Sequence, residues 1–376
     1  MLAALADGEV LSQADLARAT GLAASTVSAL VRELADAGDV VFERRGAGRS
    51  SQLIRLSTPP GLVVGLDHGR RHLAAAVAGL DGEILADVRM RISDELPATE
   101  SMVELSALLD RMLTAAGRSR AEVHRGALAL PAPVDISSGR LGSTEILPRW
   151  GGIEPAILAQ DVLGFPVSVH NDTNVGAVGE ARLGAGRGVS HFAYIWVSEG
   201  LGAGLILNDT LYAGVSGIAG ELGHTLQRAE TGALCRCGNR GCLETVVSTP
   251  AVLTLLEPQL GRLDSFDEVL KRVAAGDPLC RRVLAQTGRH IGVAVTNLVN
   301  LINPQRVIIG GELSSAGEVL LEPIRQMVSQ YAIPSAAERV EIVLSELGKR
   351  SEVLGAAKVA LTEDRMQRMN VEFVDA

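Results

Sequence analysis

The pattern that most restricts the fold of this chain is one that occurs twice. From Leu62 the sequence runs Leu-Val-Val-Gly-Leu-Asp67, an apolar stretch of buried-strand length. It turns near Gly69 into Leu73–Ala78, and at Asp81-Gly82 into Glu83–Ala86. After about residue 190 the plan restarts with His191–Val197, a glycine-rich turn, and a strand over Gly204–Tyr212. Between the two lie a helical period over residues 100–116, strand-like Gly126–Leu130 and Val167–Asp172, and a helix separating those strands. Strands alternating with helices predict an α/β body. Two copies of one plan predict two lobes with a cleft between them. The body is expected over 62–376, with lobes at roughly 62–180 and 190–350 and a C-terminal helix returning to the first lobe.

Composition limits the setting. A chain of 376 residues that is 47% hydrophobic can bury a substantial core and should divide into two or three domains. No apolar run reaches membrane-spanning length, and no basic segment leads into an apolar one at the N-terminus, so a cytoplasmic protein with no membrane partner is expected. A net charge of −9 excludes a chain that is basic throughout and coats nucleic acid. It leaves room for a small DNA-binding module on an acidic body.

Residues 1–58 have the pattern of such a module. After a short first helix at Leu2–Asp7, Leu11–Gly21 forms a helix that Ser12 caps, with Asp15 at the capping-box position and Gly21 as the stop. A second helix follows at once, with Val27, Leu30, Val31 and Leu34 on one face and its end at Gly38. Two short helices joined by a tight glycine turn predict a helix-turn-helix. Val40–Glu43, a Gly46-Ala-Gly48 turn and Ser51–Ser57 predict a β-hairpin wing. The plainer alternative is an ordinary helical pair with a hairpin. The module carries six arginines against seven acids, yet Arg44, Arg45, Arg49 and Arg55 all sit on the wing with only Glu43 opposing them. That placement suits phosphate or minor-groove contact with a double-stranded operator. Ser25, Thr26 and Ser28 are expected to face the major groove, with Arg32 a turn further on.

Three of the four cysteines fall in Cys235-Arg-Cys237-Gly-Asn-Arg-Gly-Cys242, downstream of His224. One imidazole and three thiolates are a structural zinc set, and Gly238 and Gly241 supply the permissive backbone that convergence needs. The alternatives are buried free cysteines, or one disulfide with a thiol spare. Clustered thiols without a disulfide framework suit a reducing compartment. Glu221 and Glu244 bracket the cluster without being needed by zinc. A polyhydroxylated ligand would use them.

These residues carry a resemblance over nearly the whole length. The chain resembles the ROK family, named for repressors, open reading frames and sugar kinases. The matching stretches are Asn171-Asp172-Thr-Asn174 with Gly179-Glu180, Ala219–His224, the cysteine run through Leu243-Glu244, and Asn303-Pro304 with Ile308-Ile-Gly-Gly311. The resemblance implies a winged helix-turn-helix followed by a two-lobed actin-like, hexokinase-type (ribonuclease H-like) α/β domain. It implies a sugar site at Asn171, Asp172, Glu221, His224 and Glu244. His224 would then ligate zinc through one ring nitrogen and face the ligand with the other. Singly, each carboxylate could be a solvated loop acid; as a set beside the zinc loop they read as a site.

In the family's kinases Asp172 would be the general base. Their first phosphate loop runs Asp-x-Gly-Gly-Thr, where this chain has Asp67-His-Gly-Arg70-Arg71. Their second runs Gly-Thr-Gly-x-Gly, where this chain has Ser198-Glu199-Gly-Leu-Gly202. Their Pro-Gly-Pro is Pro131-Ala-Pro133 here. Bulky cations and a carboxylate in place of small and hydroxyl residues argue against nucleotide binding. The expectation is therefore a sugar-responsive regulator, most simply a repressor, acting as a homodimer or homotetramer. The alternatives are a sugar kinase with an accessory DNA-binding domain, and an ATP-independent carbohydrate-binding protein that senses a phosphotransferase component.

Overall fold

A computed structural model describes the chain except residues 6–9, 37, 39, 45–51, 58–59, 136–137, 143–145, 228–230 and 369–376, and the side chains of residues 2, 3, 44 and 56. At the N-terminus, a single 3-10 turn at Leu2–Leu5 stands where the sequence predicts a first helix, and the rest of that segment lies outside the described residues. Helices α1 (Gln13–Thr20) and α2 (Ala24–Asp36) follow, then strands β1 (Val40–Arg44) and β2 (Gln52–Leu56). Ser12 Oγ accepts from the Asp15 amide at 3.2 Å and the Asp15 carboxylate accepts from the Ser12 amide at 3.1 Å, which closes the capping box. Gly21 ends α1 at φ 67°. β1 and β2 pair antiparallel from Val40↔Leu56 to Arg44↔Gln52. Leu11 and Ile54 exchange backbone hydrogen bonds of 3.0 and 2.8 Å, tying the wing to the helices over a core of Leu5, Leu16, Val27, Val31, Val40 and Ile54.

The body repeats one unit. The first copy comprises β3 (Leu62–His68), β4 (His72–Gly79), β5 (Ile84–Arg91), α3 (Ala98–Ala115), β6 (Val123–Leu130), α4 (Pro155–Leu163), β7 (Val167–Asn171) and α5 (Asp172–Leu183). The second begins with β8 (His191–Val197), β9 (Leu201–Leu207) and β10 (Thr210–Tyr212). Helices α6 (Glu244–Val247), α7 (Thr249–Leu260), α8 (Phe266–Ala274) and α9 (Pro278–Ile302) follow. Then come β11 (Arg306–Gly310), α10 (Glu318–Tyr331), α11 (Pro334–Ala337), β12 (Glu341–Leu344) and α12 (Ser351–Arg368). The sheet orders are β5-β4-β3-β6-β7 and β10-β9-β8-β11-β12, each an antiparallel meander continued by two parallel strands.

The second copy departs from the sequence expectation. The strand expected over Gly204–Tyr212 is two strands, because Asn208 and Asp209 turn the chain at φ 53° and 62°. β9 also begins at Leu201, inside the stretch that reads as a turn. Its glycines serve packing: a Cβ on Gly204 would lie 2.5 Å from Ala177 Cβ, and one on Gly202 2.5 Å from Thr173 Oγ1, both on α5. The glycines let the helix lie close on the strand.

Each sheet has two covered faces. α3 and α4 pack on one face of the first sheet, α12 on the other against Val63, Ala74 and Ala127. In the second sheet Ala193, Ile195 and Val197 face α7, α8, α9 and α10, while Phe192, Tyr194 and Trp196 face the side of Ala177 on α5. α12 closes the chain by returning to β3, β4 and β6 of the first sheet and crossing α5. The crossing is backbone against backbone. A Cβ on Gly355 would lie 1.7 Å from the Val175 carbonyl oxygen, and one on Gly179 2.4 Å from that of Ser351. Beside it the buried Glu180 carboxylate accepts from Ser351 Oγ at 2.8 Å, the Ala185 amide at 2.8 Å and the Ser345 hydroxyl. Gly355→Ala must push the two helices apart, and it should cost about 2 kcal/mol or more of stability. A urea midpoint equal to that of the unsubstituted protein would contradict this packing.

Candidate functional site

Between the two sheets lies a cavity of about 440 Å³. Asn171 and Asp172 enter it where β7 passes into α5, and the turn after β3 brings in Arg70 and Arg71. The β8–β9 turn adds Ser198, Glu199 and Gly200, and Glu221, His224, Arg236 and Glu244 line the opposing wall. Two parallel strands ending beside a helix N-terminus leave their last side chains at this crevice, the usual place for a ligand in an α/β sheet.

The five residues matched to a sugar site line this one cavity: Asn171, Asp172, Glu221, His224 and Glu244. Asn171 caps α5, its Oδ1 accepting from the Asn174 amide at 3.0 Å while Nδ2 donates to the Ala132 carbonyl at 3.1 Å. Burial, and then the Asp67 carboxylate, push Asp172 up to about 7, against hydrogen bonds from the Thr173 amide and hydroxyl. Burial and the neighbouring Glu244 likewise push Glu221 up to about 7. At neutral pH both are therefore divided between donor and acceptor forms, which suits hydroxyl groups that donate and accept.

His224 stands between two groups. Its Nδ1 lies 3.6 Å from Cys235 Sγ and its Nε2 3.7 Å from the Glu221 carboxylate. The ligand atoms of His224, Cys235, Cys237 and Cys242 all lie within 4.8 Å of one another, the set that can hold a metal ion. Gly238 and Gly241 take φ of 87° and 73° in the turns between the thiols. Burial, aided by the Glu244 carboxylate that accepts its S–H at 3.1 Å, pushes the Cys235 thiol up.

Arg70, Arg71 and residues 198–202 line the same space. Arg71 pairs with Glu199 at 3.6 Å and with Asp94 at 3.9 Å. Arg70 donates to the Ile146 carbonyl at 2.6 Å, and burial followed by the nearby Arg236 guanidinium lowers its pKa. Arg236, which sequence reasoning misses, donates to the Glu199 carbonyl at 2.8 Å and pairs with Glu244 at 3.1 Å. Its position between two converging cysteines is the available signal. Also unforeseen is the pairing of buried Asp67 with His72 at 2.7 Å and Arg89 at 3.8 Å. Burial opposes the Asp67 charge, yet His72 and Arg89 hold the carboxyl below its usual range. His72 and Arg89 line the cavity too.

On the N-terminal module Ser25, Thr26 and Arg32 are exposed at the start and middle of α2, and Ser28 is half-buried. Arg44 ends β1 with its side chain undescribed, and Arg45 and Arg49 lie outside the described residues.

The ROK family model matches residues 63–363, and the MarR family model residues 1–50. This chain belongs to the ROK family. A xylose repressor from Caldicellulosiruptor bescii is 28% identical over 96% of this chain and 94% of its own length. A glucokinase from Halalkalibacterium halodurans is 30% identical, over 82% of this chain and 97% of its own. The crystal structure of a ROK family transcriptional regulator, a homologue of the Escherichia coli MLC protein, superposes with a TM-score of 0.77 at 28% identity. That match covers 95% of this chain and 94% of the other. The ROK fold accounts for the doubled sheet plan and the cleft, and the MarR-type match for the capped helix pair and its wing.

Raising the Asp172 pKa makes stability depend on pH. Its folded-state pKa, about 7, stands above the ordinary value of 3.8, so the folded chain holds an extra proton between those limits. Stability from this group is present at low pH and lost as pH rises toward 7. Asp172→Asn should remove that loss, so its melting temperature should gain on the unsubstituted protein between pH 5 and pH 8. A constant difference across that range would contradict the assignment.

Proposed function

We propose that this chain is a cytoplasmic transcriptional repressor of carbohydrate-metabolism genes, with DNA bound by residues 1–58 and a sugar held in the cleft of residues 62–376. The carrying observation is that the repressor and regulator matches cover 95–96% of the chain and so run into the helix-turn-helix module, whereas the glucokinase match covers 82%, about the share that the body alone makes up. Asn171, Asp172, Glu221, His224 and Glu244 bind the sugar hydroxyls. Closure of the lobes on the ligand changes the spacing of two DNA-binding modules in a dimer or tetramer. Recognition helices must stand about 34 Å apart to read one face of an operator, so a small rotation suffices to release it. Ser25, Thr26, Ser28 and Arg32 approach bases, and Arg44, Arg45 and Arg49 approach phosphates.

His224, Cys235, Cys237 and Cys242 fit a structural zinc ion. A tetrahedral site has edges of about 3.8 Å between sulfurs and about 3.6 Å between sulfur and nitrogen. Cys237 and Cys242 stand 3.7 Å apart, and Cys235 stands 3.6 Å from His224 Nδ1. Bound there, zinc would hold the thiolates together and fix the loop that carries Glu221, Arg236 and Glu244.

One observation favours a kinase: Asp172, near 7, is poised as a general base would be. Against it, Arg70 and Arg71 stand in the segment matched to the first phosphate loop and Glu199 in the segment matched to the second, all lining the cavity. Incubation with ATP, magnesium and common hexoses and pentoses should give no turnover. A rate of about 1 per second or faster would overturn the repressor reading.

Two substitutions test the parts. Cys237→Ser should abolish zinc in protein purified without chelator, as read by elemental analysis, and lower the melting temperature; no zinc in the unsubstituted protein would refute the site. Arg44→Ala with Arg45→Ala should weaken binding to all DNA sequences and flatten the log–log salt dependence by about 0.9 for each phosphate no longer neutralised. An unchanged slope would mean that the wing does not touch DNA.

A further inference from the structure

Among the described arginines around the first phosphate loop, Arg70 differs from its neighbours in how its charge is met. Arg71 faces the Glu199 and Asp94 carboxylates, Arg236 faces Glu244, and Arg89 faces Asp67. Arg70 is half-buried in the same wall with a neutral carbonyl, that of Ile146, as its hydrogen-bond partner. A guanidinium has five N–H donors, and one bond to a carbonyl leaves most of them for something else. The cation acting on it most strongly is Arg236, on the zinc-loop wall of the cavity, so two like charges share a space partly shielded from water. The carboxylates within electrostatic reach are Glu244 and Glu199, which are engaged with Arg236 and Arg71, and Asp172, which makes no ion pair with Arg70 among the described contacts.

We propose that Arg70 is the anion-binding group of the cleft and that the sugar effector carries a negative charge, a phosphate ester or a carboxylate. This deepens the sugar-binding reading and rests on it. The anionic group docks on the Arg70 fork while the ring hydroxyls reach Asn171, Asp172 and Glu221 across the same cavity. An oxyanion matches the planar guanidinium bidentately and supplies the charge that the Ile146 carbonyl lacks. A neutral sugar leaves Arg70 facing Arg236 with no carboxylate in ion-pair contact among the described residues. An extended polyphosphate is disfavoured, because the Arg71 side chain beside Arg70 pairs with the Glu199 carboxylate of the β8–β9 turn at 3.6 Å and the two stand in the adjoining space. A single compact anion fits where a nucleotide tail does not.

Calorimetric titration of the full-length, zinc-replete protein decides this. The probes are glucose and N-acetylglucosamine, their 6-phosphates, glucuronate, and inorganic phosphate alone. At least one charged sugar should bind about tenfold or more tightly than its neutral parent, and the preferred arm tells phosphate from carboxylate. In Arg70→Gln that ratio should fall to near one. Neutral and charged sugars binding equally to the unsubstituted protein would overturn the proposal while leaving the sugar reading intact. A preference that survives Arg70→Gln, or inorganic phosphate binding as tightly as the sugar phosphate, would also overturn it. Heat from none of the sugars would overturn the sugar reading and this inference together. The ratio in the unsubstituted protein is informative even if Arg70→Gln fails to fold.

Discussion

The glycine-mediated crossing of α5 and α12 joins the two halves of the body. α5 starts at Asp172, in the ligand cavity, lies on β9 of the second sheet and crosses α12, which packs on β3 of the first. One helix therefore links both lobes and presents the acid at the centre of the site. The crossing is possible because Gly179 and Gly355 remove side chains where backbone meets backbone, and because Glu180 finds hydroxyl and amide donors in a spot where an unpaired carboxylate would be costly. In the proposed regulator this joint is one route from closure on a ligand to distant parts of the chain.

The cavity around Asp172 is a balance of charges rather than a set of separate residues. Burial with the Asp67 and Glu221 carboxylates raises Asp172, burial with Glu244 raises Glu221, and the arginines of three different segments are distributed among these acids. The same loops that would seat a nucleotide's phosphates in a family kinase hold Arg70, Arg71 and Glu199 here. In the proposed regulator this arrangement serves recognition of a hydroxylated ligand, with Arg70, Arg71 and Glu199 lining the same cavity as Asp172.

Much of this is legible in the sequence because local chemistry and long-range packing agree. Ser12, Asp15 and Gly21 bound α1 as their capping roles require, and His191–Val197 is a strand end to end. The metal-type cluster is readable because three thiols and an imidazole so close in sequence have few other arrangements. The misreadings arise where one residue type serves two purposes. Gly202 resembles a turn residue, yet it lies in β9 beneath α5. Asn208-Asp209 is hidden inside an apolar run, though side chains of that kind tolerate the left-handed backbone of a hairpin turn. Arg236 and His72 are not placed by sequence reasoning, since Arg236 meets Glu244 and the Glu199 carbonyl only when the Cys235–Cys242 turns fold back on β8–β9, and His72 meets buried Asp67 only across the paired strands β3 and β4.

In the proposed regulator, sugar in the cleft and DNA on the winged helix are coupled through one molecule. That coupling is read by selecting a binding site from random duplex DNA with the full-length protein, then measuring its affinity by fluorescence anisotropy with and without saturating sugar. Coupling predicts a change of about 5- to 150-fold, and by reciprocity the selected DNA must change the sugar's affinity by the same factor. DNA affinity that is unchanged by every sugar that binds the protein would contradict it.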